Sequence, residues 1–365
     1  MMKNVLIIAN NGMGNSGVPN VICQVIDSQY KKCKISIVVF DDNDFYYPFL
    51  KDRNVEIIKI YSKTPQSPIK KLFWYFCSFP HCLEREISKI IRDKNIDIIH
   101  SFKEEEGWPA LKAAQKNNVK NRITHCNNEF RKRKGLIPWM LAKRNRRKLL
   151  KYSTCNVGVC EKCCRTMFKN KPFTIIYNSY NESKFNNLVK CKLNDEMVLT
   201  HVATFSGRKN QLFSIDLMES LVKRGNSCKL NLVGFPIDEQ YFDEMKSTIE
   251  RKNLADYISI IDGRNGIGDI FEKTSFLLLP SVSEAAPIVL VEAQACGIRC
   301  FASNTITKEM DCGGVTFLPI DNGYRIWAET INAFFKENKN SRSAFVMDKF
   351  SSTTFSKSID KIYNL

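Results

Sequence analysis

Hydrophobic and polar positions follow a regular pattern along the chain, in which short β-branched runs are separated by segments long enough for a helix. In the first half the runs are VLIIA, ISIVVF, VEIIKI, DIIHSF, NRITHC, NVGVC and TIIYN. In the second half they are MVLTHVA, KLNLVGF, YISIID, FLLLPS, IRCFAS and VTFLP. Buried strands that alternate with helices are typical of parallel sheets covered by helices on both faces. The pattern therefore predicts an α/β protein with two Rossmann-like, doubly wound domains.

A polar segment from Asn178 to Glu196 interrupts this pattern midway and is the predicted linker. We expect an N-terminal domain over residues 1–180 and a C-terminal domain over residues 181–345. A helix over residues 346–365 could pack back across either domain, and the N-terminal domain is its expected partner. Because open parallel sheets bind ligands at the carboxyl ends of their strands, we expect the two domains to face a central cleft that holds the ligand.

Three glycines follow the first hydrophobic run with the spacing of a dinucleotide-binding fingerprint, G-x-G-x-x-G: Gly12, Gly14 and Gly17. The second run ends at Asp41 and Asp42, where such a fold holds an acid that binds the ribose. One interpretation is an NAD-dependent enzyme. The other is a loop in which glycine permits close approach of the backbone to a different ligand. The motif alone is weak evidence for either.

The formal net charge of +17 predicts an acidic partner. The most basic segment is 131–148, in which two clusters of lysine and arginine flank an apolar centre that contains Trp139. This arrangement suits an anionic membrane surface, and equally a helix with one solvated face. The aromatic segment Ile69–Glu84 would add a second membrane contact if it were exposed, and core packing if it were buried. No RNP, KH or zinc-knuckle pattern is present, so we expect no nucleic-acid partner.

Apolar runs are far shorter than the ~20 residues that span a bilayer, and the first run resembles a strand more than a signal peptide. We therefore expect a cytoplasmic protein that binds peripherally to the inner face of the membrane. The 14 cysteines are scattered, which indicates reduced, packed thiols. Even the densest group favours buried thiols over a zinc site; it consists of Cys155, Cys160, Cys163 and Cys164. We expect no metal and no cofactor.

The most informative segment is FLLLPSVSEAAPIVLVEAQACG, which predicts a buried strand over Phe276–Leu279, a turn, and a helix over Pro287–Cys296. Unpaired amides and the positive end of the helix dipole would lie near residues 285–288, where they suit a diphosphate. Glu284 and Glu292 have seven residues between them. Carboxylates accept hydrogen bonds from hydroxyl groups, so this pair suits two parts of one ligand, such as a sugar and a ribose.

Glu284 and Glu292 in this context resemble the E-x7-E motif of retaining glycosyltransferases of family four, which have the GT-B fold. The likeness is greatest to bacterial enzymes of capsular and exopolysaccharide assembly. It extends to the segments HVATFSGRKNQLFSIDLMESL, GRNGIGDIFEKTSFLLLPS, ASNTITKEM and VTFLPIDNGYRIWAETI. In the first half it includes DIIHSF, ITHCNN and IIYNSYNESKF, so that most of the chain is covered.

The resemblance implies transfer of a hexose, expected from a UDP-sugar, to a glycan or a polyprenyl-diphosphate-linked acceptor, with retention and without a metal. It assigns Lys209 to the donor diphosphate, Glu292 to the ribose, Glu284 to the transferred sugar and His125 to a sugar hydroxyl near the reacting carbon. Backbone groups near Glu284 would share the donor; they belong to Ala285, Ala286, Pro287 and Ile288. The glycine-rich loop, with Gly14 and Gly17, would approach the donor phosphate or the acceptor. The N-terminal domain would bind the acceptor and the C-terminal domain the nucleotide sugar.

Two positions depart from the family pattern. Ala285 stands where the family has glycine, and Thr204 stands where it has an arginine, five positions before Lys209. Arg208 could supply the missing cation. These departures leave open a catalytically degenerate scaffold that binds sugar nucleotides, and a nucleotide-sugar epimerase of the same fold is the alternative enzyme. The interpretation as an NAD-dependent enzyme does not explain the motifs of the second half. His100 is expected either in the core or in the site.

Overall fold

The computed structural model describes residues 2–14, 16–60, 67, 78–185, 196–321, 323–337 and 342–365. The chain divides into two compact units. The first unit consists of Met1–Asn178 together with Thr353–Leu365, and the second of Ser179–Ser352. Most of the predicted linker and the part of the aromatic segment before Ser78 lie outside the described residues.

The first unit is built on a parallel sheet of seven strands in the order β3-β2-β1-β4-β5-β6-β7. The strands are β1 (Lys3–Ile8), β2 (Cys33–Val39), β3 (Glu56–Lys59), β4 (Ile98–Ser101), β5 (Asn121–Cys126), β6 (Cys155–Gly158) and β7 (Thr174–Ile175). The central strands are buried on both faces, which explains their continuous apolar runs. The strand order changes direction between β1 and β4, so that the loops after these two strands flank the position where such sheets bind ligands.

Helices cover both faces of this sheet. They span Gly17–Gln29, Tyr47–Asp52, Phe79–Lys94, Trp108–Lys116, Leu136–Tyr152 and Glu161–Phe168. The last helix of the chain, Ser352–Tyr363, contributes Phe355, Ile359, Ile362 and Tyr363 to the core of this unit. Lys3 Nζ donates to the carbonyl oxygen of Tyr363 over 2.8 Å, which ties the end of this helix to the start of β1.

The second unit repeats the design with a parallel sheet of six strands in the order β10-β9-β8-β11-β12-β13. The strands are β8 (Met197–Val202), β9 (Cys228–Gly234), β10 (Ile258–Asp262), β11 (Phe276–Leu279), β12 (Arg299–Ser303) and β13 (Val315–Leu318). The helices are Glu182–Phe185, Gln211–Lys223, Glu239–Arg251, Gly268–Lys273, Ile288–Ala295 and Arg325–Glu337. Within the described ranges, no helix is both long enough and apolar enough to cross a bilayer.

The predicted alternation of strand and helix is confirmed in both units. The strand predicted over Phe276–Leu279 has these bounds in the structure, and the helix predicted over Pro287–Cys296 spans Ile288–Ala295. Gly297 follows the helix with a φ of +71°, a backbone conformation that glycine adopts without strain. The local sequence signals therefore place the elements that hold the two motif glutamates to within a residue or so.

Candidate active site

Two loops meet in the middle of the second sheet. One follows β8 and the other follows β11, and these two strands are neighbours at the point where the strand order changes direction. The amide of Val282 donates to the carbonyl oxygen of Arg208 over 2.9 Å, and Asn210 Nδ2 donates to the carbonyl oxygen of Pro280 over 3.1 Å. These hydrogen bonds join the loops and thereby fix the residues on them relative to each other.

Lys209 and Glu284 form an ion pair between these loops, through Nζ and Oε1. Ser281 Oγ donates to the same carboxylate oxygen over 2.9 Å. The side chains of Lys209 and Glu284 are only 15% and 7% exposed, so that little water screens their charges. The structure thus brings two predicted site residues, Lys209 and Glu284, into direct contact. Ser281 and Asn210 also lie at this contact, and the sequence did not indicate either of them.

Arg208 and Thr204 occupy different surroundings from this pair. The Arg208 side chain is exposed and makes no ion pair with any residue that the structure describes. The carbonyl oxygen of Thr204 accepts a hydrogen bond from Gln211 Nε2 over 3.1 Å, at the start of the next helix. Among the described residues, no second cation contacts Glu284, although the exposed Arg208 lies next to Lys209 in the chain.

The turn before the helix Ile288–Ala295 has unpaired backbone donors. Pro287 occupies the N-cap position with φ −71° and ψ 97°, and no side chain of the described residues caps the helix. Within the part of the chain that the structure describes, the amides of Ala285, Ala286 and Ile288 donate no hydrogen bond. Unpaired amides at the positive end of a helix dipole attract anions. This turn follows Glu284 directly, and so it can bind an anion beside the ion pair.

Glu292 lies on the same helix, one turn beyond its start, and its side chain is partly buried. Burial raises the pKa of Glu292 to about 7, and the positive charge of Lys184 opposes this rise only in part. Near neutral pH the protonated and the ionised forms of this carboxyl group are therefore both populated. A ligand whose hydroxyl groups donate hydrogen bonds would favour the ionised form.

The raised pKa of Glu292 makes stability depend on pH. The unfolded chain releases this proton near pH 4.5 and the folded protein near pH 7, so that the folded state binds more protons between these values. Its contribution to the free energy of unfolding therefore falls as the pH rises through this window, by about 3 kcal/mol at most. We expect the stability of the wild type relative to Glu292→Gln to be higher at pH 5 than at pH 8 in urea unfolding. An equal difference at both pH values would contradict this assignment, and Glu272→Gln, which alters an exposed carboxylate, is the control.

His125 belongs to the first unit, near the carboxyl end of β5. Its ring is fully buried, and this burial lowers its pKa to about 3, so that the imidazole is neutral. His125 Nδ1 lies 3.2 Å from His100 Nε2, and His100 Nδ1 lies 2.9 Å from the Tyr363 hydroxyl. His125 Nε2 has no hydrogen-bond partner among the described residues. The structure thus shows one predicted site residue with an unsatisfied polar atom and with one hydrogen-bond partner, His100, which is itself held by Tyr363.

The glycine-rich loop also lies in the first unit, after β1. A Cβ atom on Gly12 would lie 1.7 Å from Asp41 Oδ1, and one on Gly14 would lie 2.3 Å from Asn43 Nδ2. A Cβ atom on Gly17 would meet no atom of the described residues within 4 Å. Gly12 and Gly14 therefore permit close packing against the loop after β2. This packing explains why glycine occupies these two positions, and no ligand is needed for that explanation.

The other groups considered from the sequence have structural partners. The Cys163 amide donates to Cys160 Sγ over 3.4 Å, at the start of the helix Glu161–Phe168. Asp42 forms an ion pair with Lys59 over 2.9 Å. Among the residues that the structure describes, no group of three or more histidine, cysteine, aspartate or glutamate side chains is arranged to hold a metal ion.

Comparison with known proteins gives a family match over the residues of this site. Residues 189–345 match the family described as glycosyl transferases group 1. The second unit carries a glycosyltransferase group 1 domain. The match includes Lys209, Glu284 and Glu292, and it covers both loops and the helix Ile288–Ala295.

Two curated relatives carry names of the same kind. EpsF of Bacillus subtilis, named as a glycosyltransferase, is 33% identical over 139 residues, which are 38% of this chain and 35% of EpsF. CapH of Staphylococcus aureus, named as a capsular polysaccharide biosynthesis glycosyltransferase, is 29% identical over 227 residues, which are 59% of this chain and 62% of CapH. The matches thus span less than two thirds of the length of either relative.

A solved structure shows the fold over the whole chain. HepE of Anabaena, crystallised in complex with UDP, has a TM-score of 0.75 at 13% identity, and the match covers 100% of both chains. The predicted fold, GT-B with two doubly wound α/β domains, is confirmed by this likeness together with the two parallel sheets.

Proposed function

We propose that this protein is a retaining glycosyltransferase of family four. It transfers a hexose from a nucleotide diphosphate sugar, a UDP-sugar, to a glycan or a polyprenyl-diphosphate-linked acceptor during surface polysaccharide biosynthesis. The observation that supports this most is the ion pair of the half-buried Lys209 with the buried Glu284, beside a turn with unpaired amides at the switch point of the second sheet. The names of EpsF and CapH and the UDP bound to HepE support the same reaction class and donor.

The diphosphate of the donor would bind to the Lys209 ammonium group and to the amides of Ala285, Ala286 and Ile288. As the bond between sugar and phosphate breaks, negative charge grows on the departing nucleoside diphosphate. A fixed cation and fixed amide dipoles stabilise this charge without having to reorganise, which is the usual source of catalysis by preorganised electrostatics. In this proposal no metal ion is needed to neutralise the leaving group.

Glu292 would accept hydrogen bonds from the ribose hydroxyls, and Glu284 from the hydroxyls of the transferred sugar. In the first unit, the buried His125 would contact a sugar hydroxyl, and the loop with Gly14 and Gly17 would approach the donor or the acceptor. In a front-face displacement, the acceptor oxygen bonds to the anomeric carbon while the bond to the diphosphate breaks. The acceptor proton passes to the departing phosphate oxygen, so that no protein base is required and the anomeric configuration is retained.

The nucleotide specificity tests this proposal. We would measure thermal unfolding with UDP, GDP, ADP and NAD, each in excess, because a ligand at ~100 times its dissociation constant adds about 2.7 kcal/mol to stability. A shift with UDP that Glu292→Ala abolishes and Glu272→Gln retains would support the proposal. A shift with NAD alone would contradict it. No shift with any nucleotide would also contradict it, and would favour a scaffold that has lost the donor site.

We also propose that the protein works at the inner face of the membrane, bound peripherally through the start of the helix Leu136–Tyr152. Three apolar side chains there are exposed, with exposed fractions of 73% for Leu136, 50% for Ile137 and 59% for Met140. The exposed Lys132 and Lys134 precede them and form no ion pair within the described residues. An apolar patch beside unpaired lysines suits the headgroup region of an anionic bilayer.

Some basic residues of segment 131–148 have partners within the protein and are not available to bind a membrane. Arg146 is buried, its Nη1 atom donates to the carbonyl oxygen of Thr166 over 3.0 Å, and its guanidinium group lies 4.1 Å from the centre of the Phe130 ring. Arg133 forms an ion pair with Glu105. Removing these charges would disturb packing, so the apolar patch is the better target for a test.

We expect the triple change Leu136→Ser, Ile137→Ser and Met140→Ser to lower binding to anionic vesicles at least tenfold. Burial of each such side chain contributes about 1.5 to 3 kcal/mol, and ~1.4 kcal/mol is a tenfold change in affinity. Co-sedimentation with vesicles rich in phosphatidylglycerol measures the effect. The control alters two exposed apolar residues of the second unit, Ile237→Ser and Val346→Ser. Equal binding by the triple variant and the wild type would contradict the membrane proposal.

A further inference from the structure

Three buried side chains of the first unit form a continuous chain of hydrogen bonds. Tyr363, on the last helix, contacts His100 on β4, and His100 contacts His125 on β5. All three side chains are fully inaccessible to solvent. At the far end of this chain, His125 Nε2 is buried without a partner among the described residues. A buried polar atom with no partner in the protein needs an explanation, such as a bound water molecule, an ion or a catalytic role.

Neighbouring residues hold the tyrosine and the two imidazole rings in place. Asn121 Nδ2, at the start of β5, donates to the carbonyl oxygen of Ile362 over 2.8 Å, so that the end of the last helix is tied to the strand that holds His125. The Phe102 ring lies with its centre 4.8 Å from that of His125 and 4.5 Å from that of His100. Both imidazole rings are therefore held in position by packing.

Only two proton arrangements satisfy both hydrogen bonds. Burial lowers the pKa of His100 and of His125, so each ring is neutral and carries one proton. In the first arrangement the Tyr363 hydroxyl donates to His100 Nδ1, His100 Nε2 donates to His125 Nδ1, and the His125 proton is on Nε2. In the second, His125 donates to His100, and His100 donates to the tyrosine oxygen.

The two arrangements differ in the number of buried polar groups that they leave without a hydrogen bond. The Tyr363 hydroxyl has His100 as its sole hydrogen-bond partner within the described residues. The second arrangement would thus leave both the tyrosine O–H and a His125 lone pair unsatisfied, whereas the first leaves only the His125 N–H. Unsatisfied buried donors destabilise a folded protein, so the first arrangement is favoured.

We propose that Tyr363 is a positioning residue that acts through His100 to fix His125 as a hydrogen-bond donor, with its proton on Nε2. Resting on the proposed function, this N–H donates to the oxygen of a sugar hydroxyl. The last helix thereby sets the chemistry of a site residue that it does not touch. A rigid donor of fixed tautomer binds an oxygen without having to rearrange its proton.

The tautomer can be measured directly. The chain has four histidines, so long-range proton–nitrogen NMR correlations of the labelled imidazoles are tractable, with His100→Gln and His125→Gln as assignment variants. We expect the ligand-free wild type to show His125 protonated on Nε2. In Tyr363→Phe the two arrangements leave equal numbers of unsatisfied groups, so we expect a mixture of tautomers. A His125 proton on Nδ1 in the wild type would overturn the proposal, as would an unchanged single tautomer in Tyr363→Phe.

Phe355→Leu is the matched control, because it weakens the packing of the same helix and leaves the tyrosine hydroxyl in place. We expect it to retain the wild-type tautomer and transfer rate, whereas Tyr363→Phe lowers kcat/KM about tenfold. Equal losses of rate in both variants would assign Tyr363 a merely structural role. The wild-type NMR measurement needs no activity, so it decides the tautomer even if the protein transfers no sugar.

Discussion

Lys209→Ala is expected to lower kcat/KM for sugar transfer by about two to three orders of magnitude, the usual loss when one preorganised charge-stabilising group is removed. Lys209 is the one cation that the structure places in contact with Glu284, among the residues that it describes. Its substitution removes the cation nearest to the proposed diphosphate and leaves the turn at 285–288 to stabilise the leaving group alone.

The measurement is the initial rate of nucleoside diphosphate release with donor and acceptor present. The matched control is Lys223→Ala, on the helix Gln211–Lys223, where the lysine is 72% exposed and pairs with Glu219 one helical turn away. We expect this control to keep the wild-type rate. A loss of less than about threefold in Lys209→Ala would contradict the role given to this residue.

Glu284→Gln is expected to lower the rate of transfer about a hundredfold and to leave the affinity for UDP equal or higher. The reason is the ion pair: in the ligand-free protein the carboxylate holds the Lys209 ammonium group, and it has Ser281 as a second partner. Glutamine keeps the shape of the side chain and removes the negative charge that lies beside Lys209 and opposes the charge of the diphosphate. The sugar hydroxyls lose an ionised acceptor, and hydrogen bonds to ionised groups are about twice as strong as neutral ones.

Calorimetric titration with UDP and with the complete UDP-sugar distinguishes these two effects. We expect only the UDP-sugar to bind more weakly in Glu284→Gln, whereas Glu272→Gln should bind both as the wild type does. Parallel weakening of both ligands would show that Glu284 acts on the nucleotide and not on the sugar. Removing one partner of a buried pair also destabilises the fold, so the titrations belong well below the unfolding temperature.

Local signals in the sequence predicted much of the second unit. The run Phe276–Leu279 is apolar throughout because this strand is buried on both sides, and the proline and glycine that bound the next helix determine where it begins and ends. The pairing of Lys209 with Glu284 joins residues 75 positions apart. The family resemblance placed both residues in one site, but the contact itself depends on the adjacency of β8 and β11, which periodicity does not specify.

Two contacts in the first unit could not be predicted from the sequence. The contact between Tyr363 and His100 joins residues 263 positions apart, and the sequence around Tyr363 has no motif that indicates it. Arg146 lies among exposed basic residues in the sequence, yet packing on Phe130 and a hydrogen bond to a backbone carbonyl bury it. Both features depend on which helix covers which strand, and a one-dimensional pattern of charge or hydrophobicity does not contain that information.

Transfer of a sugar from a nucleotide diphosphate sugar is the activity that most needs a direct test. The most direct measurement follows the radiolabel of UDP-hexoses into the butanol-extractable lipid fraction of bacterial membranes, with wild-type protein and with Lys209→Ala. We expect label from one UDP-hexose to enter the lipid fraction with the wild type, and at least about a hundredfold more slowly with the variant. Equal incorporation by both proteins would contradict the proposed transferase activity. A wild type that binds the nucleotide sugar and moves no label to any lipid or glycan would also contradict it.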